Sequence, residues 1–276
     1  MPERKIVLSL LTWNLRDVSL ESLAALAREG ERLQRAGAEP QIVVCDNGST
    51  DGTREALRAA AARLALPCRL LLNGENLGNS RARNQVLDVV LASGADYLMF
   101  TDGDIEVVPG SVVAMLRHLE RSAPEVGGIG AECFADTRHR EQATPYVASL
   151  AEYRVSDDRD ELWAARTGYG LFRRAVFAAG VRFDESPPFD RPGWGCEDVD
   201  LAFQIHDQGF YLQTVSGMTF LHRGVNSSIP LLRELGADPR ADYELRRRYV
   251  IEKWQDTGLG AKTVEYLRGA GAEPAF

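Results

Sequence analysis

Short apolar runs separated by stretches with helical spacing constrain this chain more than any other feature. "KIVLSLL" (5–11), "QIVVC" (41–45), "CRLLL" (68–72) and "YLMF" (97–100) read as strands. After the first of them Leu20, Leu23, Ala24 and Ala27 recur at helical spacing, a second helix is predicted from about Thr53, and a third precedes "YLMF". Strand, helix and strand in repetition is the βαβ unit, so the chain is expected to be α/β, with a Rossmann-like, mostly parallel sheet flanked by helices. Its 276 residues, 45% of them hydrophobic, suffice for one large core. We expect one α/β domain over residues 1–225 and a C-terminal helical cap or lid over 226–276, patterned by Tyr243, Leu245, Tyr249, Val250 and Trp254.

The net charge of −8 argues against nucleic acid held by bare basic surface. The one basic cluster, Arg246-Arg247-Arg248, is expected to be a solvated helix face. Cys45, Cys68, Cys133 and Cys196 have no C-x-x-C spacing and are expected to be reduced core residues rather than zinc ligands or a redox pair. No window reaches about 18 uninterrupted apolar residues, and the first residues enter a strand pattern without a signal-peptide apolar region. A cytoplasmic protein without a transmembrane segment is the expectation.

In a parallel sheet ligands bind beyond the carboxyl ends of the strands. The residues there are Thr12-Trp13-Asn14, Asp46-Asn47-Gly48, Asn73-Gly74 and Asp102-Gly103-Asp104. Turns also need Asn, Asp and Gly, so one such loop says little, but four in succession suggest a shared binding edge. In "CDNGSTDGT" an ordinary turn with Ser49, Thr50 or Asp51 capping the next helix competes with a second reading. There, Asp46 sits at the mouth of the crevice and accepts hydrogen bonds from a base N–H or ribose hydroxyls. A calcium loop fits poorly: counted from Asp46, its sixth position is Asp51, where Gly is needed.

Taken in order, "IVVCDNGSTDGT", "NLGNSRARNQ", "FTDGD" and "GWGCEDVDLAFQ" resemble the motif set of family 2 and related glycosyltransferases with the A-type nucleotide-sugar fold, over roughly residues 5 to 225. The resemblance implies transfer of a sugar from a nucleotide diphosphate donor, UDP-sugar by preference, to an acceptor hydroxyl. It places Asp46 on the donor base and Asp102, Gly103 and Asp104 on ribose and metal, with Thr12 and Asn14 in the donor-binding loop. The chemistry of the acidic pair also stands alone. A diphosphate with about two negative charges is repelled by two nearby carboxylates in a partly desolvated cleft, and a divalent cation removes the conflict. On an extended strand Asp102 and Asp104 would point to the same side and meet one ion. His222, ending "TFLHRG", is the expected third ligand; His118 and His206 lie in helical patterns and His139 in a charged loop. Mn2+ fits this set, with Mg2+ as the alternative.

In "GWGCEDVDLAFQ" the resemblance assigns Asp198 as the base, with Glu197 binding the acceptor or orienting the loop; both also suit the first turn of a helix on dipole grounds alone. Trp194, between two glycines, offers a face for a sugar or is a core residue. Arg83, in the "ARN" element, reaches the pyrophosphate or braces the D-x-D strand. Some features depart from the family: no Pro follows the first strand in "LLTWN", and the Q-x-x-R-W element of processive synthases is absent. Residues 135–163 match nothing usable. Inversion is favoured, with a retaining enzyme of the same fold as the alternative. A sugar-1-phosphate nucleotidyltransferase would carry a Gly-rich basic loop after the first strand, and an inactive nucleotide-sugar-binding protein would not need the Glu-Asp pair. The partners implied are the donor, an unnamed hydroxyl acceptor and, as an open option, a second copy of the chain in a homo-oligomer.

Overall fold

Strand β1 (Arg4–Thr12) shows why the apolar runs are continuous rather than alternating. Ile6, Leu8 and Leu10 enter one core and Val7 and Leu11 the other, so both faces are covered. Ser9, buried between Val7 and Leu11 on the second face, is satisfied by donating to the Met99 carbonyl at 2.9 Å. The structure is a computed structural model that describes residues 4–135, 144–156, 167–193, 195–224, 228–261, 265 and 267.

After β1 come α1 (Arg16–Arg35), β2 (Ala38–Asp46), α2 (Thr53–Ala61), β3 (Cys68–Leu72), α3 (Asn79–Ser93) and β4 (Tyr97–Thr101). These strands are parallel in the order β3-β2-β1-β4, as the alternation predicts. On α1 Leu20, Leu23 and Ala27 face the core as the helical spacing predicts, joined by Leu26, and only Ala24 departs, facing solvent.

The second half of the sheet is mixed. It comprises β5 (Ile105–Glu106), α4 (Ser111–Arg121), β6 (Val126–Ala135), β7 (Arg154–Ser156), β8 (Tyr169–Arg173), α5 (Arg174–Ala178), α6 (Glu197–Asp207) and β9 (Tyr211–His222). Strand β8 lies antiparallel between β4 and β6, and β9 runs parallel to β6 while pairing β5 and β7 antiparallel. The β5–β9 ladder sets Ile105 opposite His222, which brings the end of β9 to the residues that follow β4. Buried Glu29 of α1 joins this half to the first. Its carboxylate accepts the N–H groups of Gly110 (2.8 Å) and Val112 (3.1 Å), capping α4 from outside.

The C-terminal helices are α7 (Ser228–Glu234) and α8 (Pro239–Trp254), and α8 forms the expected helical cap. Val250 and Trp254 build a third core with Phe189, Cys196 and Phe203, whereas Leu245 is exposed. Of the basic cluster on α8, Arg248 is exposed as expected, but the cluster is not uniformly a solvated face. Arg246 is buried: its Nε donates to Asp242 at 2.7 Å and its guanidinium lies 5.2 Å from the Phe189 ring centre. Cys45, Cys68 and Cys196 are free thiols, and burial pushes Cys45 up to about 12.

Asp200 of α6 anchors the cap, accepting from Trp254 Nε1 (2.8 Å) and Lys253 Nζ (2.8 Å). Lys253 also donates to Asp184 at 2.7 Å. Burial alone would raise the Asp184 carboxyl, but hydrogen bonds from Lys253, Ser186 and Tyr249 outweigh it and hold the group at about 2 against an ordinary 3.8. A depressed carboxyl contributes stability above its unfolded value and loses it as pH falls through the folded one. Docking of α8 is therefore expected to weaken between about pH 4 and pH 2. Asp184→Asn should flatten that part of the curve in urea unfolding at a series of pH values; an unchanged profile would remove the latch.

Candidate active site

The four polar strand ends meet along one edge. Asn47 N–H donates to the Thr12 carbonyl and Asn73 N–H to the Asp46 carbonyl, both at 2.9 Å, and Gly103 N–H reaches the Leu11 carbonyl at 2.7 Å. Asn14, at φ 50°, ties the first loop to the second: its N–H donates to Ser49 Oγ and its Oδ1 accepts Thr50 N–H, each at 2.8 Å. Asn tolerates this left-handed backbone better than most residues. Thr12 is buried, its hydroxyl 2.5 Å from Ser19 Oγ. Asp51 accepts Thr53 N–H at 3.0 Å, so the capping reading of this loop holds for Asp51. Asn47 knits in the third loop through Asn73 and Asn76, both at 3.0 Å.

Asp46 is placed differently from expectation. Its carboxylate is fully buried rather than at the mouth, and Arg54 Nε lies 3.3 Å from it. The Arg54 guanidinium, projecting from the first turn of α2, also donates to the Asn73 carbonyl. Nothing in the sequence marks Arg54: it follows a turn motif and resembles any helix-surface arginine.

The D-x-D residues form a turn rather than an extended strand. Ile105 N–H donates to the Asp102 carbonyl at 3.1 Å, closing it. Gly103 makes the turn fit, because a Cβ there would lie 2.7 Å from Thr12 Oγ1. Arg83, in the second turn of α3, is buried. It donates to Asp102 Oδ1 at 2.5 Å and to the Thr167 carbonyl at 3.0 Å, with its guanidinium 5.4 Å from the Phe100 ring centre. Of its two expected roles, this geometry is that of the brace. Asp104 Oδ2 lies 3.3 Å from His222 Nε2, and the Arg223 N–H donates to the Asp104 carbonyl at 2.8 Å.

The expected trio of metal ligands is therefore split. Asp104 and His222 are together, while Asp102, displaced by the turn, is engaged by Arg83. Among the described residues no three His, Cys, Asp or Glu side chains form a group able to hold an ion. Of the other histidines, His118 Nε2 is 2.8 Å from Gln213 Oε1, a pairing within the fold.

Helix α6 supplies the facing acids. Gly195 (φ 90°) and Cys196 (φ 69°) turn the chain into it, and a Cβ at Gly193 would collide with Arg246. Glu197 is buried; its Oε1 accepts from Asn79 Nδ2 at 2.9 Å, joining the starts of α6 and α3, and its Oε2 has no hydrogen-bond partner among the described residues. A buried carboxylate oxygen without a partner is costly and marks a position where a ligand donor fits. Asp198 is half-buried, with Oδ1 accepting the Val199 N–H at 2.9 Å. Trp194 lies outside the described residues.

A helix-flanked sheet with acidic turns along one edge and an acidic helix start beside them defines a glycosyltransferase of the A-type fold. The chain belongs to glycosyltransferase family 2, matching Glycosyl transferase family 2 over residues 13–181. The matched segment contains Asp46, Arg83, Asp102 and Asp104 and ends before Glu197, Asp198 and His222. It is 25% identical over 218 residues to N-acetylglucosaminyl-diphospho-decaprenol L-rhamnosyltransferase of Mycobacterium tuberculosis, covering 68% of this chain and 67% of that protein. Among solved structures it is similar to S. aureus TarS in complex with UDP (TM-score 0.63, 15% identity, 95% of this chain and 69% of that one). It is also similar to a Pyrobaculum calidifontis mannosyltransferase in complex with GDP-Man and Mn2+ (TM-score 0.58, 16% identity, 99% and 77%). Glucosyl-3-phosphoglycerate synthase of M. tuberculosis, with Mn2+, UDP and phosphoglyceric acid, gives a TM-score of 0.51 at 16% identity over 86% of this chain and 75% of that one. No helix among the described residues is long and apolar enough to cross a membrane.

Proposed function

We propose that the chain moves a sugar from a nucleoside diphosphate donor, UDP-sugar by preference, to an acceptor hydroxyl, with a divalent cation and with inversion. The observation that carries this reading is the pairing of Asp104, in the turn after β4, with His222, at the end of β9, at 3.3 Å, beside the brace from Arg83. An oxygen and a nitrogen donor at that spacing fit Mn2+ or Mg2+, with the remaining positions left for diphosphate oxygens and water. Such an ion, when bound, neutralises charge on the leaving diphosphate. The solved structures holding UDP or GDP-Man with Mn2+ support the donor class and the metal.

The chain's own groups do the rest. Thr12, Asn14, Asp46 and Gly103 shape the donor pocket, with Arg54 paired to the buried Asp46 carboxylate. Arg83 fixes Asp102, which is left to orient donor hydroxyls through its exposed oxygen. Asp198 takes the proton of the acceptor hydroxyl as that oxygen bonds to the sugar's anomeric carbon and the carbon–phosphate oxygen bond breaks. Glu197, held by Asn79, offers its second oxygen to the acceptor, and Trp194 a face to the sugar. Residues 1–225 carry these groups, and 226–276 cap α6 and so position its first turn.

The test is a panel of nucleotide sugars with Mn2+, scored by melting temperature and by slow donor hydrolysis without acceptor. One nucleoside diphosphate-sugar should raise the melting temperature and release its diphosphate, since a ligand bound to the folded state adds stability logarithmically with concentration. No stabilisation by any donor would sink the reading. Pyrophosphate-dependent formation of a nucleoside triphosphate would instead mean a nucleotidyltransferase.

A further inference from the structure

A cavity of about 330 Å³ opens away from the crevice, between the last turn of α1, the start of α4 and residues 146–148. Arg32, Arg35 and Arg117 line it together with Gly110, Val147 and Tyr146, a residue 59% exposed. Helix α1 has 20 residues. At 1.5 Å per residue Arg32 and Arg35 lie roughly 25 Å along its axis from the Asn14 loop, so the cavity is no part of the donor site.

Three guanidinium groups around one opening stand out on a chain of net charge −8. Their charge is little compensated. Among the described residues Arg117 has no ion-pair or hydrogen-bond partner, and Arg35 donates only to the neutral Glu31 carbonyl at 3.2 Å. Arg32 lies 3.5 Å from Glu29, and that carboxylate already accepts N–H groups from Gly110 and Val112. Because Glu29 occupies the first N–H groups of α4, the helix terminus is not what would hold an anion here. The arginines are. Planar guanidinium groups bind tetrahedral oxyanions through paired N–H donors, and three of them match a group with two or more negative charges.

We propose that this cavity is a second anion site, built for a phosphate monoester or diphosphate group, with the Tyr146 ring flanking whatever the phosphate is attached to. The phosphate belongs either to a soluble molecule or to a lipid headgroup, and the same arginines serve both.

The probe is inorganic pyrophosphate, titrated by calorimetry in the presence of a chelator. Wild type and the control Arg248→Ala, altered on exposed α8 surface, should bind it alike. Arg35→Ala combined with Arg117→Ala should bind about tenfold or more weakly. Both positions are exposed, so the melting temperature should not change; Arg35→Gln with Arg117→Gln repeats the test if it does. Equal affinity in wild type and both double variants, or no binding by wild type, overturns the proposal. Sedimentation with phosphatidylcholine vesicles containing phosphatidic acid identifies the source. Co-sedimentation lost in the double variant assigns a lipid phosphate, and pyrophosphate binding without co-sedimentation assigns a soluble one.

Discussion

Asp198→Asn should lower the rate of sugar transfer by about 10²- to 10⁴-fold while leaving the dissociation constant for the nucleotide sugar nearly unchanged. The substitution keeps the shape of the side chain, and the amide oxygen still accepts the Val199 N–H that Asp198 Oδ1 accepts at 2.9 Å. What it removes is the basic site. Placement in the first turn of α6 favours the charged carboxylate, because the helix N-terminus carries partial positive charge. Transfer rate and donor affinity for both proteins, with the anomeric configuration of the product by NMR, decide the matter. An active Asn variant, or a product that keeps the donor's configuration, would take Asp198 out of the role of inverting base.

Donor binding should collapse when the cation is withheld. A chelator, which leaves the acidic turn uncompensated opposite the diphosphate, is expected to weaken UDP binding by on the order of 100-fold or more, and Asp104→Ala, which takes away a ligand of the ion, should do the same with metal present. Asp104 and His222 are predicted to act as a pair, so His222→Ala should lower metal affinity more than it lowers the melting temperature. Asp102→Ala should behave differently: it leaves the buried Arg83 without its carboxylate partner, and its first effect should be on stability. Calorimetry of UDP with and without chelator would falsify the metal assignment if the affinities agreed.

The parallel half of the sheet was legible because local pattern dictates it. A strand covered on both faces must read as an unbroken apolar run, and Ile6–Leu11 does so but for Ser9. That the following loops share an edge is a consequence of parallel topology, which is why Thr12, Asp46, Asn73 and Asp102 could be grouped before their contacts were known. The position of β8 was not legible, because "YGLFR" pairs with strands distant in the chain and its direction is a tertiary matter. Arginines were the hardest residues to place. Arg83 was marked by the "ARN" element, but Arg54 and Arg246 look like any surface arginine in sequence, yet Arg246 is buried against Asp242 and Arg54 pairs with the buried Asp46. Only the partner's location distinguishes these two from surface residues. The D-x-D geometry failed for a related reason: whether two aspartates share a side depends on whether the chain turns, and the turn is set by the fit of Gly103 against Thr12.

The bond from Trp254 to Asp200 spans 54 residues of sequence. A ribosome adds about 5–20 residues per second, so Asp200 waits roughly 3–10 s for the tryptophan that fixes its helix. Until then α6 lacks its outer support, and the acids at its start have no settled position relative to the D-x-D turn. Asp104 and His222 are both made before Trp254, so the acids at the start of α6 are the last part of the site to be held in place.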